Sequence, residues 1–145
     1  MTDASRDTLR SVELTRIGEH RLKATNRRGG VLPIGEGEDP DFTPVELLLA
    51  SIAGCAAIDV DYITGKRSAP ETFDVHVEAD KVRDEDGNHL TNIRVVFDVA
   101  FPEGEGGDAA RAVLQSAIER SRDRICTVSR TVALPTPVEM VRTDG

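Results

Sequence analysis

The sequence predicts an α+β fold, made of an N-terminal β-meander, a long buried central helix, antiparallel strands and a second helix. Three observations lead there. Short alternating segments fill the first third of the chain, one long apolar run opens with a helix-start signature, and two alternating runs around an Asp-Gly turn precede an amphipathic stretch. That order packs helices on antiparallel sheets.

The first eleven residues are polar and without period, which describes a loosely attached segment. Strands follow around Val12 to Arg16 and His20 to Ala24, with a turn at Gly18. A second turn at Gly29 and Gly30 leads to a short strand from Val31 to Ile34 and then to the acidic loop GEGEDPDF. Thr43, Pro44 at the first helical position and Glu46 three residues after Thr43 match a capping box. The helix runs from Thr43 to near Gly65. Leu47, Leu48, Leu49, Ile52, Ala53 and Ala56 make its first half apolar on nearly all sides, the pattern of a helix buried all round.

Beyond Pro70, Phe73, Val75, Val77 and Ala79 point one way and Asp74, His76 and Glu78 the other, so a half-buried strand is expected. Asp86-Gly87 turns the chain into a second strand, LTNIRVVFDVAF, to form a hairpin. Asp108 caps the helix AARAVLQSAIERSRDRI, CTVSRTVAL follows with a short helical turn, and TPVEMVR closes as a final strand. There are no internal repeats.

A chain of 145 residues, 39% hydrophobic, suits one domain spanning residues 1–145. With 3% aromatic residues, no Trp and one Tyr, its core must be aliphatic and would gain from burying further surface in a dimer. The net charge of -8 and the lack of a Lys/Arg patch argue against a nucleic-acid partner. The near-continuous apolar run from Leu47 to Ile58 is shorter than a bilayer requires, and no charged segment precedes an apolar one at the N-terminus. A soluble, cytoplasmic protein with no membrane partner is expected.

Two cysteines cannot build a disulfide scaffold. In a reducing compartment Cys55 and Cys126 are either buried packing residues or working thiols. TPVELLLASIAGC, ending at Cys55, resembles the first-cysteine motif of the OsmC/Ohr family. CTVSRTV, beginning at Cys126, is similar to its second-cysteine motif, with Thr127 where the family commonly has proline. The matching element order extends from about His20 to Arg142.

That resemblance implies an intertwined homodimer and a cysteine-based peroxidase for organic hydroperoxides. In such a cycle a thiolate attacks the terminal peroxide oxygen, releases an alcohol and becomes a sulfenic acid, and a second thiol closes a disulfide. Cys55 would attack and Cys126 would resolve, and an external dithiol would reset the pair by exchange. The two are 71 positions apart, so only the fold can join them.

Activation is a separate matter. Cys55 lies about three turns into its helix at about 1.5 Å per residue, beyond the reach of the macrodipole. Apolar surroundings, and Asp59 one turn later, should raise its pKa. A cation is needed, and the resemblance places an arginine in TNRRGG, with Arg28 the choice and Arg27 its neighbour. Those surroundings equally suit an exposed turn arginine. The family also implies a glutamate that orients the arginine. Ten positions before Cys55 stands Val45; Glu46 is one step on, faces roughly the opposite side of the helix at about 100° per residue, and fits the capping box. Glu36, Glu38 and Asp39 in the acidic loop are the other acids available.

His20, His76 and His89 show no metal-ligand spacing, to each other or to the cysteines, and no phosphate-cradling Gly loop occurs, so neither metal nor cofactor is expected. Two readings remain. One is the peroxidase, with Cys55, Cys126 and Arg28 in its site; the other is a non-enzymatic protein of the same fold that binds a hydrophobic small molecule at the dimer interface.

Overall fold

The computed structural model describes residues 8–143. Most of the segment expected to be loosely attached lies outside those residues; positions 8–11 are exposed and belong to no strand or helix. The chain forms two compact units, Met1–Leu48 and Leu49–Gly145.

In the first unit, β1 (Glu13–Gly18), β2 (Arg21–Thr25) and β3 (Val31–Ile34) form an antiparallel meander in chain order. Leu22 pairs with Arg16 on one side and Ile34 on the other. The β1–β2 turn falls at Glu19 and His20, one step beyond Gly18, with His20 in the left-handed region at φ 57. Asn26 builds the next turn: its Oδ1 accepts the backbone N–H of Arg28 (3.0 Å) and of Gly30 (2.9 Å). Gly29, at φ 93, supplies the conformation that a side chain resists.

The acidic loop is anchored rather than freely solvated. Arg21 of β2 forms ion pairs with Asp39 and Asp41, and the Gly35 N–H donates to the Phe42 carbonyl at 3.1 Å. The long helix α1 (Pro44–Gly65) then starts on the expected capping box. Glu46 Oε1 accepts the Thr43 N–H at 2.9 Å, and Thr43 Oγ1 accepts the Glu46 N–H at 3.2 Å.

α1 continues into the second unit. Its buried face is narrower than its composition suggests: Ile52, Ala53, Ala56, Val60 and Thr64 form one stripe at three- and four-residue spacing, while Ile58 and Tyr62 are 60% and 73% exposed. A single chain with so few large side chains covers only that stripe. At 22 residues, longer than the Leu47–Ile58 run, α1 is long and apolar enough to cross a membrane by length and composition alone, a test that a core helix also passes.

β4 (Thr72–Asp84) and β5 (Gly87–Ala100) form a long antiparallel hairpin with Val75 opposite Phe97 and Val77 opposite Val95. Phe73, Val75, Val77 and Ala79 take the more buried face as expected, and Phe73 meets Phe97 edge to face at 6.2 Å. Gly87, at φ 124, closes the turn. A bulge between Glu78 and Asp80 bends the ladder, where Asn92 adopts φ 54 and its amide donates to Asp80 Oδ2 at 2.9 Å.

Helix α2 (Glu105–Arg120) starts earlier than expected, at Gly104, whose φ of 116 suits glycine. Asp108 is therefore inside the first turn and is not the cap; it accepts from Arg111, which also donates to the Phe101 carbonyl. Gly107, Ala110 and Ala117 form the buried stripe of α2. The helix then loosens into a π-turn (Ser121–Ile125), closed by the Cys126 N–H donating to the Ser121 carbonyl at 2.9 Å. A short helix α3 (Thr127–Ala133) follows. The expected final strand is not formed: residues 136–142 are exposed without regular structure, and no strand edge among the described residues pairs with them. Alternation alone cannot hold a strand that has no ladder partner.

Candidate active site

The chemistry-bearing residues of the second unit converge where α1, the π-turn and α3 meet. Ser121, wholly buried, donates its hydroxyl to Asp59 Oδ2 at 2.9 Å, tying the middle of α1 to the end of α2. The π-turn then delivers Cys126, also wholly buried, as the N-cap of α3. Cysteine here does what serine or threonine usually does: Cys126 Sγ accepts the Ser129 N–H at 3.4 Å, and its thiol donates to Ser129 Oγ at 3.2 Å.

Cys55 and Asp59, one turn apart on α1, meet this sulfur from the other side. One donor atom from each of Cys55, Asp59 and Cys126 lies within 4.8 Å of the other two, and both thiols are free. The structure thus brings together two of the three residues singled out by sequence. The third, Arg28, belongs to the first unit, exposed in the Asn26 turn, while both cysteines belong to the second.

Burial is the main influence that pushes the Cys55 thiol above its ordinary value of 9.0. A hydrogen bond from the Val128 N–H opposes that rise, and the Cys126 sulfur and the Asp59 charge add to it. The neutral thiol is therefore favoured at neutral pH, and a thiolate has to be drawn out by a cation or by the approaching substrate.

An apolar cavity of about 350 Å³ is lined by Ala56, next to Cys55, and by Ser129, which holds Cys126, though by neither cysteine itself. Ile52 and Ala56 of α1, Val95 and Phe97 of β5, and Ser129 and Val132 of α3 are among its lining residues, with the guanidinium-bearing Arg122 also present. The volume suits a small hydrophobic ligand. Arg122 is held in a forked ion pair with Asp123 at 2.7 and 3.0 Å.

Sequence reasoning missed Ser121 and Arg122. Nothing local marks Ser121, whose partner lies 62 positions away. Ser129 had a legible signal, because Cys-x-x-Ser has the spacing at which a capping side chain meets a backbone N–H.

The sequence profile of the family described as OsmC-like protein matches residues 35–141, which include both cysteines. No curated protein matches the chain. Solved structures share its fold. A hypothetical protein from Aquifex aeolicus superposes with a TM-score of 0.70 at 23% identity, covering 86% of this chain and 87% of that one. An OsmC-like protein of unknown function from Vibrio cholerae gives 0.71 at 12% identity, with 89% and 95% covered. The organic hydroperoxide resistance protein OhrB of Bacillus subtilis gives 0.53 at 15% identity, with 84% and 90% covered.

Proposed function

Because this chain belongs to the OsmC-like protein family, we propose that it is a thiol-dependent peroxidase that reduces organic hydroperoxides through a two-cysteine cycle. The observation that carries this reading is the pairing of two free sulfurs from distant parts of the chain. A disulfide needs the sulfurs at about 2.05 Å, and side-chain rotations at Cys55 and Cys126 have only a short gap to close.

Cys55, the less buried of the two, attacks the terminal oxygen of the hydroperoxide as a thiolate. The O–O bond breaks, the alkoxide takes a proton and leaves as an alcohol, and the sulfur becomes a sulfenic acid. Cys126 then attacks that sulfur, forms the disulfide and releases water. An external dithiol restores both thiols by exchange. The apolar cavity beside the pair supports a hydrophobic organic peroxide as the substrate.

The raised Cys55 pKa calls for a cation. Arg28 is assigned that role, supplied by this chain or by the second subunit of a homodimer, with Arg27 as the neighbouring candidate. Glu46 is engaged in its capping box, which leaves the acids of the preceding loop, Glu36, Glu38 and Asp39, as candidates to orient the arginine. A homodimer also gives the exposed Ile58 and Tyr62 of α1 a surface to cover, and the protein is read as soluble and cytoplasmic.

The test is one equivalent of cumene hydroperoxide added to reduced protein, followed by peptide mapping. Wild type should give a Cys55–Cys126 disulfide, Cys126→Ser should stop at a trappable sulfenic acid, and Arg28→Ala should slow the first step. Unmodified thiols in wild type would remove the peroxidase reading. One observation favours a second reading, a non-enzymatic carrier of a hydrophobic small molecule: the cavity is apolar and the thiol beside it is held neutral. Ligand binding unchanged in Cys55→Ser, together with absent peroxide reduction, would select it.

A further inference from the structure

Asp59 has no task in the peroxide cycle, yet it is built into the same cluster as the thiols. We infer that the reduced protein binds a divalent zinc-class ion through Cys55 Sγ, Cys126 Sγ and an Asp59 carboxylate oxygen. The three donors lie within 4.8 Å of one another. A tetrahedral zinc ion, with bonds of about 2.3 Å to sulfur and 2.0–2.2 Å to oxygen, requires its ligand atoms roughly 3.5–3.8 Å apart. The difference to be closed is about an ångström at most.

The donor set is selective. Two thiolates and one carboxylate suit zinc or cobalt, and they do not suit magnesium or calcium, which take oxygen ligands. The surroundings supply what such a site needs outside its ligands. The buried Ser121 hydroxyl holds Asp59 Oδ2 at 2.9 Å, which fixes the carboxylate and leaves Oδ1 for the ion. The Ser129 N–H donates to Cys126 Sγ at 3.4 Å, which orients that sulfur. Three protein ligands leave a fourth position for water or an exogenous ligand. His20, His76 and His89 are not involved, which is why a search by histidine spacing does not reveal the site.

Metal and disulfide are alternative occupants, since forming the disulfide removes both sulfur donors. A hydroperoxide that oxidises the metal-bound pair takes two electrons from the two thiolates and two protons from solvent, giving alcohol, water, the disulfide and the free ion. Binding itself needs no peroxide, so the metal site stands or falls separately from the peroxidase reading.

The experiment titrates Co²⁺, then Zn²⁺, into reduced full-length protein without peroxide. One equivalent of Co²⁺ should produce thiolate-to-cobalt charge-transfer absorption in the near ultraviolet, and Zn²⁺ should abolish it while Mg²⁺ does not. Cys55→Ser and Cys126→Ser should each lose most of that absorption, and protein oxidised to the disulfide should show none. Asp59→Asn should keep the two-sulfur absorption but bind about tenfold or more weakly, and Ser121→Ala should weaken binding by about tenfold through the loosened carboxylate. Circular dichroism confirms that each variant is folded. Absence of stoichiometric Co²⁺ binding in the folded wild type overturns the proposal. So does an affinity in Asp59→Asn equal to that of wild type, since the pair alone would then act as a simple dithiol chelator.

Discussion

Replacing Ser121 by alanine removes one hydroxyl and, with it, the bond of 2.9 Å that ties α1 to the start of the π-turn. The site is wholly buried at Ser121, so water does not take the place of the lost donor, whereas Asp59 is half-buried and recovers part of its solvation. A hydrogen bond to a charged group contributes about 1.5–3 kcal/mol, and partial solvation of Asp59 selects the lower part, about 1.5–2 kcal/mol. That corresponds to a fall of about 3–8 °C in Tm at this chain length, or of about 1 M in the urea midpoint. The chain has no Trp and one Tyr, so far-ultraviolet circular dichroism of reduced protein at one fixed concentration is the appropriate signal. A cycle with Asp59→Asn should show a coupling of about 1 kcal/mol between the two positions. A Ser121→Ala variant within about 0.5 kcal/mol of wild type, or a cycle that is additive, would refute the view that this bond sets the position of the cysteine pair.

Four further outcomes are expected. Because burial, Cys126 and Asp59 together raise the Cys55 thiol above 9.0, its alkylation by iodoacetamide should still be accelerating at pH 9; a plateau near neutrality would contradict this. The same shift has a stability consequence: the folded state favours the protonated thiol, so this contribution is complete below the ordinary value of 9.0 and is lost as pH rises through the folded one. The urea midpoint should therefore fall above about pH 9, and Cys55→Ser should flatten that fall. Thr43→Ala, which removes one half of the capping box, should cost about 1 kcal/mol in the same unfolding assay; an unchanged midpoint would show that the box contributes nothing to stability. At Gly107 an added methyl would overlap the Pro102 carbonyl oxygen, so Gly107→Ala should destabilise by about 1–3 kcal/mol or more, and a fully stable variant would refute the close approach of α2 to that loop.

Local chemistry made much of the fold legible. The meander, the Thr43–Glu46 box and the β4–β5 alternation depend on neighbours within a few positions, and sequence places them within a residue or two of where they occur. Elements governed by distant partners were not legible in the same way. Asp108 has the composition of a cap, but the backbone at Gly104 begins the helix one turn sooner. Val138 and Met140 alternate as a strand would, yet they stay exposed, and no strand among the described residues pairs with them. The site shows the same division. Cys55 and Cys126 could be paired only by family resemblance, and the hydrogen bond that joins their supporting elements links Ser121 and Asp59 across 62 positions without any motif. The π-turn that aims Cys126 has no sequence signature either; its Ser121 is held by Asp59 of α1, a partner far away in the chain.

The central claim is that the paired thiols reduce organic hydroperoxides, and steady-state consumption of cumene hydroperoxide with dithiothreitol tests it most directly. Wild type should turn over repeatedly, Cys126→Ser should be slower, and Cys55→Ser should match the rate of dithiothreitol alone. A wild-type rate no faster than that of folded Cys55→Ser would contradict the claim and leave the cysteines as packing residues of the α1–α3 contact.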